Sequence, residues 1–229
     1  MTTTAAAPPV DLGRLWTLPG VYAPQADTQL LARAVEAEGV TAGMDVLDVC
    51  TGSGALALLA ARSGARVCAI DISRRAVLTA RMNAARAGHR LRVLRGDLTG
   101  PVAAHRFDLV VSNPPYVPAP AGGRTRPHGP EIAWDAGTGG RLALDRICAR
   151  APGLLRPNGT LLLVHSGLCG VTETLDRLTA SGLRCAVTGR AAVPFGPVMT
   201  ERLPWLRARG LVGPHDDTEE LVVIRAQRS

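Results

Sequence analysis

Short apolar runs of β-type residues alternate along the chain with longer stretches whose apolar positions recur at helical spacing. Val46-Leu47-Asp48-Val49, Val67-Cys68-Ala69-Ile70, Leu91 to Leu94, Phe107 to Val111, Thr160 to Val164, Leu183 to Thr188 and a last run near Leu221 to Arg225 read as strands. Between them lie five predicted helices. The first is capped by Asp27 or Thr28 and runs to about Glu38, with Leu30, Leu31, Ala34 and Val35 on one face. The others are an Ala/Leu-rich stretch from Ala55, a helix capped by Ser73 and running to Ala87, one from about Arg141 to Ala151, and one from Val171 to Ala180. Strand following helix following strand is the signature of an α/β fold.

The stretch from Asp45 to Asp71 organises this pattern. The first run meets Cys50-Thr51-Gly52-Ser53-Gly54 and then a helical segment, which makes a strand, a tight loop and a helix N-terminus. Gly52 and Gly54 let the loop take positive φ and bring its backbone close to a ligand, while the free N–H groups of the helix point at it. The second run ends on Asp71, a carboxylate at the tip of the neighbouring strand within reach of a ribose diol. A glycine loop that merely turns the chain is the plain alternative. The nucleotide is neither a dinucleotide nor an ATP-like phosphate donor. The position three after Gly54 is Ala57 rather than glycine, and the chain contains no lysine for a P-loop. Asp48 would repel a pyrophosphate and suits a cationic ligand such as the amino and sulfonium groups of S-adenosylmethionine.

Composition narrows the picture further. At 229 residues, 46% of them hydrophobic, the chain can bury one good core and is short for two. Its net charge of +7 comes entirely from arginine, which fits either a polyanionic partner or a surface that simply uses no lysine. The five cysteines form no Cys-x-x-Cys and read as reduced and mostly buried, with no metal site. Residues 1–19 read as a disordered or extended start without the features of a signal peptide, and residues 20–229 as a single domain. No run reaches membrane-spanning length, so a soluble, cytoplasmic protein is expected.

The chemistry is expected at Ser112-Asn113-Pro114-Pro115-Tyr116, where an apolar strand delivers Asn113 to its C-terminal end and two prolines stiffen the turn. An amine or amide nitrogen conjugated to a π-system is a poor nucleophile. The Asn113 side-chain oxygen and the Pro114 carbonyl can each accept one N–H of an acceptor NH₂, orienting the nitrogen and favouring the charge that builds on it. Tyr116 supplies a flat wall. From Val117 to Gly139 a long loop rich in Pro and Gly reads as a substrate lid, with Arg124, Arg126 and His128 available to an acidic partner. Residues 190–217 read as an insertion carrying a short amphipathic helix. Within it Trp205, among Arg202, Arg207 and Arg209, is either a recognition patch or a cover for the core edge, in a chain only 3% aromatic.

These residues carry a resemblance. The glycine loop resembles the first motif of class I methyltransferases, with Cys50 standing where the first glycine is usual. Val21-Tyr22-Ala23-Pro24-Gln25-Ala26-Asp27-Thr28, the Asn-Pro-Pro-Tyr motif and the segment Glu131-Ile132-Ala133-Trp134-Asp135 resemble the HemK-related glutamine methyltransferases. The resemblance covers about Val21 to Arg190 and the final strand. It implies a doubly wound, Rossmann-like, seven-stranded, mostly parallel sheet with an antiparallel last strand. It also implies S-adenosylmethionine as cofactor, contacted by Thr28, Asp48, Cys50, Gly52, Gly54, Asp71, Ile72, Asp97, Leu98 and Asn113, with Asp97 receiving the adenine amino group. Asn113, Pro114, Pro115 and Tyr116 are then catalytic. The acceptor it implies is a glutamine amide in a peptide-chain release factor; a nucleobase or a small metabolite is the alternative. Eukaryotic relatives work with a small zinc-binding partner, and nothing in this sequence reports one.

Overall fold

The computed structural model describes residues 8–120, 131 and 133–229. In chain order the elements are α1 (Ala26–Ala37), β1 (Asp45–Val49), α2 (Ala55–Arg62), β2 (Arg66–Asp71), α3 (Arg74–Arg86), β3 (Arg92–Arg95) and β4 (Phe107–Ser112). There follow α4 (Leu142–Leu154), β5 (Leu155–Ser166), α5 (Val171–Ala180), β6 (Leu183–Pro194), α6 (Pro197–Ala208) and β7 (Thr218–Arg228). The seven strands form one sheet in the order β3-β2-β1-β4-β5-β7-β6. The first five are parallel to one another, and β7 runs antiparallel to both β5 and β6. The order reverses between β1 and β4, and in open α/β sheets the crevice beyond the carboxyl ends of such a pair is where ligands bind.

Both faces of the inner strands β1, β2, β4 and β5 are buried, which is why these read as continuous apolar runs, whereas β3 and β6 at the two edges are largely uncovered. Along β1, Val46 joins a core with Leu31, Val35, Ala57 and Ala80 under α1, α2 and α3. Its neighbour Leu47 points the other way, into a core with Leu144, Ile147 and Leu178 under α4 and α5. A third, smaller cluster of Met199, Leu206 and Val212 joins α6 to the rest, and Trp205 packs against it half-buried, as a cover for this edge of the core.

Several local expectations change in the folded chain. Ser73 caps α3 as expected, accepting from the Ala76 N–H. The first helix, by contrast, begins at Ala26 behind Gln25, with no side-chain cap, because the Asp27 carboxylate is engaged elsewhere. Pro157-Asn158-Gly159, expected to turn into a strand, lies inside β5 at an irregularity in its pairing with β4, with Asn158 at φ 63°. The sixth strand continues past Thr188 to Pro194, paired all along with β7, so much of the expected insertion is strand and helix built onto the sheet. Residues 8–24 form an extended strap. Val10 exchanges two hydrogen bonds with Gln29, Trp16 exchanges two with Asn83, and the Arg86 guanidinium lies 3.8 Å from the Trp16 ring centre.

Candidate active site

A cavity of about 610 Å³ opens beyond the carboxyl ends of β1, β2 and β4, where the strand order reverses. Its floor is the loop after β1. Cys50 takes φ 62°, the left-handed conformation that glycine adopts without steric cost and a side chain does not, and Gly52 follows at φ 55°. Asp71 at the end of β2 faces the cavity, and its two oxygens accept the N–H groups of Gly52 and Ser73, each at 2.9 Å. Burial nevertheless lifts its pKa, against these two hydrogen bonds. Each carboxylate oxygen keeps a second lone pair for a hydroxyl.

At one end of the cavity the lining is apolar. Ile72 is 45% exposed and Leu142 59% exposed, both unusual for large aliphatic side chains, and Leu98 lies beside them. Asp97 stands at this rim, held by a two-pronged pair with Arg146 at 2.7 and 3.0 Å. At the other end stand Asn113, Pro114, Pro115 and Tyr116, directly beyond β4. The Asn113 side-chain N–H donates to the Thr28 hydroxyl at 3.4 Å. The amide nitrogen is thereby turned towards α1, and its oxygen is left as the acceptor.

Asp27, expected to cap a helix, is instead the hub of this end. It is 3% exposed. Its Oδ2 accepts from the Tyr22 hydroxyl at 2.8 Å and from the Tyr116 hydroxyl at 2.9 Å, while Oδ1 takes the Thr28 N–H and hydroxyl. One buried carboxylate thus ties the strap, α1 and the Pro-Pro turn together. Burial first, then the charge of Asp27, raises the pKa of both phenols well above the ordinary value, so both remain donors. The turn is also fixed from behind. The Cys169 thiol donates to the Tyr116 carbonyl, and a Cβ on Gly140 would lie 2.3 Å from that same oxygen.

Thr28, Cys50, Gly52, Asp71, Ile72, Asp97, Leu98, Asn113, Pro114, Pro115 and Tyr116 therefore share one cavity. Two expected contacts do not reach its wall. Asp48 faces α2, where its Oδ2 accepts from the Thr51 hydroxyl at 2.6 Å and the Ala57 N–H at 3.1 Å, so it braces the loop from behind. Its Oδ1 is buried without a partner among the described residues, and burial pushes its pKa up to about 7. Gly54, at φ 85°, serves packing: a Cβ there would meet Ala80 at 3.1 Å. Along β1 the alternation of side chains puts Asp48 on the same face as Val46, beneath α2. The sequence reading missed Tyr22, Asp27 as a hub, Leu142 and Arg146. The one signal for the first two was that an acid and two tyrosines are rare polar partners among so few aromatics.

The lid expected over residues 117–139 is described only at its base, and Arg124, Arg126, His128 and Ile132 lie outside the described residues. That base is zipped to itself: Val117 pairs with Trp134 and Ala136, and Ala119 takes the Gly137 carbonyl. Arg202 of α6 clamps it, reaching the Pro118 carbonyl at 3.0 Å and forming an ion pair with Asp135.

Sheet order, cavity position and the Asn-Pro-Pro-Tyr turn together define a class I methyltransferase. The methyltransferase small domain family matches residues 13–123. The chain is 31% identical over 183 residues to a protein named as an N5-glutamine methyltransferase of Methanocaldococcus jannaschii, covering 79% of this chain and 90% of that one. It is 38% identical to the release factor glutamine methyltransferase of Gloeobacter violaceus over 72% of this chain, and spans 60% of that relative's length. Among solved structures, a chain of the E. cuniculi Mtq2–Trm112 complex, which methylates the eRF1 termination factor, superposes with a TM-score of 0.64 at 23% identity. That superposition covers 92% of this chain and 99% of the other, and shows a shared fold. The chain belongs to the HemK-related family of methyltransferases.

Proposed function

We propose that this chain methylates the side-chain amide nitrogen of a glutamine in a protein, a peptide-chain release factor before other candidates, with S-adenosylmethionine as donor. The observation that carries this is the orientation of Asn113. Its N–H is spent on Thr28 and its oxygen is left to receive one N–H of a primary amide, beside the Pro114 carbonyl for the other. The cofactor reading is supported by the cavity itself, with the Asp71 carboxylate suited to a ribose and the Ile72, Leu98 and Leu142 side chains to a flat purine. When bound, S-adenosylmethionine supplies an electrophilic methyl group. Asn113 and Pro114 hold the amide with its nitrogen facing that methyl and favour the positive charge that develops there, and the surplus N–H proton then leaves to water. Tyr116, locked by Asp27, offers its ring as a flat wall for the acceptor.

Labelled cofactor and a release factor bearing Gly-Gly-Gln test this. The wild-type factor should take up label and its Gln→Ala form should not, with only a shallow dependence of rate on salt. Labelling of RNA or DNA with a steep salt dependence would replace the glutamine with a nucleobase. Labelling of neither macromolecule would move the assignment to a small amine.

A further inference from the structure

A second cleft, of about 530 Å³, lies at the opposite edge of the sheet, where the parallel strands begin. Arg66 opens β2, Arg92 opens β3, Arg106 immediately precedes β4, Arg156 is the second residue of β5, and Arg90 stands in the loop before β3. Neighbouring strands are about 4.8 Å apart, so in the order β3-β2-β1-β4-β5 this is a cationic row roughly 19 Å long. Two of these five arginines are compensated. Asp45 and Asp108 pair with Arg66 and Arg156 at 2.5 to 2.7 Å. Arg90 and Arg92 make no hydrogen bond or ion pair among the described residues, and Arg106 donates only to the carbonyl of its neighbour His105. A concave wall with one excess sign concentrates the field in front of it.

We propose that this cleft binds the phosphodiester backbone of RNA, as a docking surface separate from the active-site cavity. Two features select a phosphate chain over an acidic protein. The cations are guanidinium forks in a line, which match successive phosphates. The lining offers no exposed large aliphatic side chain to anchor a protein partner, and of its two ring side chains Phe107 is 6% exposed while the exposed one is the small, polar imidazole of His105. With one exposed imidazole and no row of aromatic rings there is little platform for stacked bases, so contacts fall on the backbone and carry little sequence preference. The six residues of β4 separate this edge from Asn113 by roughly 20 Å, so RNA held here leaves the acceptor entrance open.

Fluorescence anisotropy of the whole chain with a fluorescein-labelled oligouridylate tests the assignment. Three uncompensated arginines on a single strand give a log–log salt slope of about −2. The variant Arg90→Gln/Arg92→Gln/Arg106→Gln should bind at least about tenfold more weakly at low salt and lose most of that slope. Its melting temperature and its affinity for S-adenosylmethionine should stay at the wild-type values, because all three side chains are exposed and far from the cavity. The variant Arg14→Gln/Arg150→Gln/Arg209→Gln removes the same charge from other exposed positions and should bind nearly as the wild type does. Equal weakening by both triple variants, no binding by the wild type, or tighter binding of polyglutamate than of RNA would each overturn the proposal.

Discussion

Asp27 concentrates more of the reaction end on one side chain than its place at the start of a helix implies. Losing it would leave two buried phenols without an acceptor and release Thr28, which in turn orients Asn113. Asp27→Ala should therefore lower turnover by roughly tenfold or more, at about 1–3 kcal/mol for a buried partner lost, while affinity for S-adenosylmethionine changes only a few-fold. Asp27→Asn keeps an oxygen for the tyrosines and should recover much of kcat. Steady-state kinetics beside calorimetry check this, and an Asp27→Ala enzyme with normal kcat and a raised cofactor Kd would contradict the hub. Asn113→Ala should show the same split more strongly, with turnover down by about 10², as for loss of a preorganised polar group. Asp71→Ala should do the reverse, weakening cofactor binding by about 1.5–3 kcal/mol in a protein that still folds. Calorimetry giving an unchanged affinity would remove Asp71 from the ribose.

At the scale of elements, α6 acts on the active site without touching the reacting atoms. It is held between β6 and β7 and grips the base of the loop that continues from Asn-Pro-Pro-Tyr, through Arg202, Asp135 and the Pro118 carbonyl. Both members of the ion pair have side chains only 17% exposed, so the pair is worth more than a surface one. Arg202→Ala should raise KM for the acceptor several-fold, leave cofactor affinity alone and lower stability by about 1–3 kcal/mol, the cost of leaving Asp135 half-buried and unpaired. A thermal melt and a two-substrate kinetic series read both effects, and an unchanged acceptor KM would mean that α6 only packs. The helix itself was legible from the amphipathic stretch around Trp205. Its contact with the loop was not, because residues so far apart in the chain meet only through the β6–β7 pairing.

For the whole molecule, two aspartates at opposite ends of β1 oppose each other as pH changes. Asp48 has its pKa raised to about 7 from an ordinary 3.8, chiefly by burial. The folded chain therefore binds more protons than the unfolded one between these values, and this contribution to stability is full below about pH 4 and lost as pH rises through about 7. Asp45 is held down to about 2 by hydrogen bonds and charge from Arg66 and Arg156, so its contribution is present above 3.8 and lost as pH falls through about 2. The melting temperature of the cofactor-free protein should decline from pH 5 to pH 8, and Asp48→Asn should flatten that decline. Parallel curves for wild type and variant would show that Asp48 is charged in the fold at no cost.

The sequence by itself determined the strand and helix alternation, the glycine loop with Asp71 at the next strand end, and Asn-Pro-Pro-Tyr at the end of β4. These are local signals: runs of β-type residues, residues that alone tolerate certain backbone angles, and prolines that forbid others. It also placed eleven of the residues that line the cavity, because parallel strands deliver their carboxyl ends to one edge. Only the tertiary structure decided which way Asp48 points, that Gly54 serves packing against Ala80, and that Asp97 is met by Arg146. It likewise turned Asp27 from a cap into an acceptor for two tyrosines, and assembled the arginines that open separate strands into one row. Each of these depends on side-chain direction or on pairing between residues distant in the chain, which spacing along a sequence does not encode.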